Sequence, residues 1–221
     1  MKAVPFYPNP DNTHCYQCCL RMVLKYFYPG REYSWPELDQ LTGKRSWKWT
    51  WSLLGMIHMQ KLGFDVRCWD SFDYKTFAEK GERYLIEKLG FKDASILIFH
   101  SDISYERRVA QTYGPYINKT PPPNFSDLQN LLMEGFLPVC NVNLNTLNGE
   151  SGYAGHFVVV YGLDRQTVYL HDPGPPAIAA RRVPLKVFDT AWSYPTIEDR
   201  CILAFRPKST RGMSATVATN V

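Results

Sequence analysis

At 221 residues the chain is long enough for one domain with a substantial core and short for two. A composition of 45% hydrophobic and 21% charged residues excludes a disordered chain, a coiled coil and a collagen. The 25 basic residues exceed the 21 acidic ones by only four and are scattered along the chain, which argues against a nucleic-acid partner.

No apolar run approaches the ~20 residues of a membrane helix. The start, Met1 to Pro8, has no apolar stretch of the kind a secretory signal needs. The expectation is a cytoplasmic protein with no membrane partner. Residues 1–14 are extended and turn-rich, with Pro5, Pro8, Pro10, Asn9 and Asn12 all opposing a helix. From Cys15 the pattern becomes helical: Cys19, Met22, Val23 and Tyr26 fall at i, i+3, i+4 and i+7, and Pro29-Gly30 stops the run. Ser34-Trp35-Pro36-Glu37 reads as a capping box opening a short helix that ends by Gly43. A helix is expected over 50–62, a strand over 64–69, a more polar helix over about 74–89, and a short buried strand over 95–99. Residues 113–125, with Pro121-Pro122-Pro123, read as a loop. A helix opens near Ser126 and closes at Gly135.

After Gly135 the chain turns to strands, at 137–142, 156–161, 168–171 and 201–205, with a short helix from Pro184 through Trp192. Helices first and antiparallel-looking strands second make an α+β fold, a helical lobe against a sheet lobe with a cleft between them. One domain over 1–207 and a frayed tail over 208–221 are expected.

Six cysteines are present, yet the chain is too large and core-rich to need a disulfide framework. Cys15 and Cys18 form a C-x-x-C pair without the second pair that zinc would want, so neither metal nor cofactor is implied. Cys19, Cys68, Cys140 and Cys201 read as small buried apolar residues. Cys15 differs because it stands at a helix N-terminus, where unpaired N–H groups and the positive end of the helix dipole favour thiolate. A catalytic thiol also needs a base and a group to orient it. Among five histidines, His156 follows a Gly-rich loop and opens a strand, where a ring can project into a cleft. Asp172 ends the next strand, and a hairpin turning at 163–166 brings His156 and Asp172 to the same sheet end. By alternation His171 should face away. Trp47, Trp49 and Trp51, which alternate beside Lys44, Arg45 and Lys48, read as cleft wall or core packing rather than a base-stacking surface.

Residues 15–27, CYQCCLRMVLKYF, with 155–162, GHFVVVYG, and Asp172-Pro173-Gly174, resemble in order the nucleophile helix, His strand and Asp-Pro turn of a known family. These are the papain-like cysteine peptidases that trim double-glycine leaders from bacteriocins, together with their stand-alone relatives. The resemblance implies a papain-like fold over most of 5–205 and a hydrolase acting on a peptide or amide substrate through Cys15, His156 and Asp172. It further implies that Asn9, in the place of the family's Gln, and the Cys15 backbone N–H serve the oxyanion, with Asn12 as the alternative side chain. Tyr16 stands where the family has Gly. Acyl transfer from the same thioester and a non-catalytic peptide-binding role are the competing readings.

Overall fold

The computed structural model describes residues 2–117 and 120–208. Its centre is a six-stranded antiparallel sheet: β1 (Phe64–Trp69), β2 (Leu137–Asn143), β3 (Gly155–Leu163), β4 (Thr167–Asp172), β5 (Ile178–Pro184) and β6 (Cys201–Pro207), in the order β1-β6-β2-β3-β4-β5. Side chains on successive residues of a strand point to opposite faces, and both faces here are covered. Val139, Phe157, Val159 and Leu203 pack against α1 (Cys15–Phe27), α2 (Trp35–Thr42), α3 (Ser52–Lys61), α4 (Tyr74–Lys80), α5 (Glu82–His100) and α6 (Ile103–Tyr113). Cys140, Val158, Val160 and Ile202 pack the other way, onto α7 (Phe125–Met133), the single turn α8 (Leu144–Leu147) and α9 (Leu185–Trp192). Burial on both faces explains why the central strands read as continuous apolar runs.

The α+β expectation holds, with the refinement that three short helices cover the second face of the sheet. The capping box at Ser34 is formed in full, and Gly43 ends α2 in the left-handed conformation, φ 67°. The polar helix expected to end at Gly90 is divided. It breaks at Gly81, and Gly90 interrupts α5 with φ 76° and ψ 159°.

The strand expected over 95–99 is incorrect; these residues form the end of α5. The apolar run there is wound into a helix that buries only part of it: Ala94 is fully buried, whereas Phe91 and Phe99 stand largely exposed, and Ser95 Oγ donates to Phe91 O at 2.7 Å as a helical hydroxyl does. A run of five apolar residues fits either structure until its neighbours are known. The edge strand β5, helix α6 and the turn α8 carried no signal that sequence reading used. β5 presents Arg181 and Arg182 instead of an apolar face. The expected tail beyond residue 208 lies outside the described residues.

Candidate active site

Residues 9–14 form a closed set of turns that delivers Cys15 to the first position of α1. Asn9 Oδ1 accepts from the His14 N–H at 3.1 Å, and Asp11 Oδ1 accepts from the Thr13 N–H at 2.9 Å. The His14 ring is clamped between Asp11, at 2.6 Å, and Asp39, at 3.1 Å, so it braces the helix entry. The first intrahelical bond runs from the Cys18 N–H to His14 O, which leaves the N–H groups of the first turn aimed at the space around Cys15.

Tyr16 does not crowd that space. Its ring is fully buried, lies 4.8 Å from Phe157 and donates its hydroxyl to Ser52 O at 3.1 Å. The room comes from Gly55 on α3, where a Cβ would sit 2.6 Å from Tyr16 Cε1 and 2.8 Å from its hydroxyl oxygen. Gly55→Ala is therefore expected to lower stability by about 1–2 kcal/mol, because overpacking outweighs the better helix propensity of Ala. Urea unfolding with an unchanged slope would check this, and an unaltered midpoint would refute the tight contact.

His156 opens β3 and Asp172 closes β4, which pair as an antiparallel hairpin. Both side chains are buried, and His156 Nε2 lies 2.7 Å from Asp172 Oδ1. That contact leaves the other ring nitrogen free of Asp172, and Cys15 lies near enough to the imidazole for each to shift the titration of the other. Burial alone would push the Cys15 thiol up. The hydrogen bond and charge of His156, with the backbone N–H groups of Phe157 and Tyr16, outweigh it and hold the thiol below its ordinary value. Burial likewise opposes an imidazolium at His156, but bonding to Asp172 and Cys15 raises its pKa to about 9. Burial pushes the thiols of Cys18, Cys19, Cys68, Cys140 and Cys201 upward. His171 faces the other way, bonded to Val4 O and to the Ala180 N–H.

Asp172 has a second partner that sequence reading missed. Arg181 on β5 donates from Nη1 to Asp172 Oδ2 at 2.6 Å and from Nη2 to Leu147 O at 2.8 Å. The Gly174 N–H supplies a further bond to Asp172 Oδ1, at 2.9 Å. Burial disfavours the carboxylate, but His156, the Gly174 N–H and Arg181 together keep Asp172 below the usual range. Gly174 is required where it stands, at φ 86°, because a Cβ would meet the Ala177 nitrogen at 2.3 Å. Asn9 is bolted to this turn: its N–H donates to Pro173 O at 2.9 Å and its Nδ2 to Gly174 O at 3.3 Å. Asn12 occupies the left-handed region, φ 66°, at the tip of the 9–14 turns.

The profile of the Peptidase_C39 like family matches residues 1–197. The chain belongs to that family. No curated protein matches its sequence. Among solved structures, the peptidase domain of Streptococcus ComA, a bifunctional ABC transporter of a quorum-sensing pathway, is similar at 16% identity and a TM-score of 0.49, over 92% of this chain and 98% of that one. A double glycine motif protease from an AMS/PCAT transporter, solved in complex with its leader peptide, is similar at 15% identity and a TM-score of 0.49, over 93% of each chain. In this member of the Peptidase_C39 like family, no helix among the described residues is long and apolar enough to cross a membrane.

Proposed function

We propose that this protein is a thiol hydrolase that cleaves a peptide or amide bond, with Cys15 as nucleophile, His156 as general base and acid, and Asp172 as the group that orients and charges the imidazole. The observation that carries the reading is the imidazole held at 2.7 Å by the buried Asp172 and set close enough to Cys15 to lower its thiol, whose sulfur opens onto a cleft between the helices and the sheet. The Cys15 proton passes to His156, and the thiolate attacks the substrate carbonyl carbon. Negative charge then gathers on the carbonyl oxygen. The Cys15 backbone N–H, unpaired at the helix start, faces that charge together with the Asn9 amide, which has a second hydrogen besides the one given to Gly174 O. His156 returns the proton to the leaving amine, and a thioester remains on Cys15. Water, deprotonated by His156, attacks the thioester, and the acid departs with the thiol restored.

Labelling with iodoacetamide tests the assignment of nucleophile. Cys15 is expected to alkylate first at pH 6–7, because it alone among the six thiols has a lowered pKa while burial raises the other five. The rate at Cys15 should rise once, below the ordinary thiol range, and stay high in alkali because the thiolate persists. Turnover should instead fall above about pH 9, where His156 loses the proton that the leaving amine needs. Mass-spectrometric mapping that finds Cys18 or Cys68 labelled before Cys15 would overturn the assignment.

A further inference from the structure

A cavity of about 160 Å³ opens beside Cys15, between the helical elements and the sheet. Trp49, Trp51, Phe72 and Leu89 line it from the helical side, Tyr153 and Phe157 from the sheet side. These walls are held rigidly. The Trp51 ring stacks on Phe77 at 4.9 Å and donates its N–H to Ser101 Oγ at 3.0 Å; Trp49 stacks on His100 at 4.6 Å. Tyr153 stacks on Tyr194 at 5.8 Å, and the Tyr194 hydroxyl donates to Asp93 at 2.8 Å. Trp49 and Tyr153 meet edge to face, 6.3 Å apart, although one precedes α3 and the other lies in the loop before β3. The aromatic walls of the two sides are therefore in contact.

Charged groups at the margin of the cavity are already engaged. Lys88 pairs with Asp199 at 2.5 Å, and Asp70 accepts from the Tyr74 hydroxyl at 2.8 Å and from the Phe72 N–H at 2.9 Å. With these groups bonded to one another, the contacts left for an occupant are chiefly ring faces and aliphatic edges. An apolar cavity near 150 Å³ takes up a benzene ring. Glycine would leave a space of this size unfilled.

We infer that the cavity is the acyl-side specificity pocket, and that the residue supplying the scissile carbonyl carries an aromatic or comparably large apolar side chain. The inference rests on the reading of Cys15 as nucleophile. In that reading the acyl half of the substrate stays bonded to the sulfur that lines the cavity, so its side chain is the group held beside these walls.

Acyloxymethyl ketones of acetyl-phenylalanine and acetyl-glycine, with the adduct mapped by mass spectrometry, test the pocket directly. The phenylalanine reagent should modify Cys15 about ten- to a hundred-fold faster than the glycine reagent in the wild-type protein. Leu89→Trp, which fills the cavity from a half-buried position on α5, should draw that ratio toward one. Equal rates, or a faster glycine reagent, in a protein whose Cys15 still reacts preferentially with iodoacetamide would overturn the pocket and leave the nucleophile standing. A protein in which iodoacetamide does not favour Cys15 would overturn both. The wild-type ratio decides the matter even if Leu89→Trp does not fold.

Discussion

Asp172→Asn is expected to reduce turnover by about ten-thousand-fold, the loss that follows when the carboxylate of such a triad becomes an amide. In the wild-type protein Asp172 Oδ1 faces His156 Nε2 at 2.7 Å, so a neutral imidazole carries its hydrogen on that nitrogen and offers the other as a base. An Asn that turns its amide N–H groups toward His156 favours the opposite tautomer, in which the nitrogen nearer Cys15 holds the hydrogen and can accept none. The charge that stabilises the imidazolium vanishes as well, and Arg181 loses the carboxylate it binds at 2.6 Å. Iodoacetamide should report the same change, with the alkylation rate of Cys15 shifted toward the ordinary thiol range. Turnover within ten-fold of wild type, in a folded variant, would remove Asp172 from the proposed mechanism.

Arg181→Met should produce the next largest effect, a fall in turnover of about ten- to a hundred-fold together with a loss of acid stability. The pair is largely buried, and removing one partner leaves an uncompensated charge, a change that typically destabilises by about 3–5 kcal/mol. The pKa of Asp172 is depressed in the folded protein. Its ionised form therefore contributes stability that is present above the unfolded value, about 3.9, and is lost as pH falls through the folded value. Without Arg181 the folded value rises, so acid unfolding should begin at a higher pH than in wild type. The Asp172 charge would then act on His156 alone, and the alkaline limb of turnover should move above about pH 9. A lower turnover with both pH limbs unmoved would make Arg181 a packing residue and nothing more. Arg181→Lys should restore part of the pH behaviour, since the charge returns, but not the fork that also binds Leu147 O.

The site was legible in the sequence to the extent that its parts sit at the ends of elements. Cys15 begins α1 because turn-formers precede it and an apolar 3.6-residue repeat follows it. His156 and Asp172 flank a hairpin whose strands are apolar and whose turn is short. Arg181 was not legible. It belongs to an exposed edge strand whose alternation carries no apolar signal, and its partner is nine residues away across a bulge in the β4–β5 register. Gly55 was equally silent, since its only distinction is the Tyr16 ring lying against it from another helix.

Local pattern determined where α1, α2, α3, α7, α9 and the central strands form, since capping residues, turn glycines and hydrophobic period act over a few residues along the chain. The class of fold and the β3–β4 hairpin followed from the same signals, whereas the order β1-β6-β2-β3-β4-β5 did not, since it seats the last strand between the first two. Tertiary structure alone decided the state of residues 95–99, where an apolar run that suits strand or helix became helix by packing Ala94 inward. It decided also that Tyr16 turns into the core, that Asn9 ties the helix entry to the Asp172 turn, and that Arg181 closes on Asp172. Each of these depends on distances between residues remote in sequence. Hydrophobic periodicity says which face of an element is buried and is silent about which neighbour that face will meet.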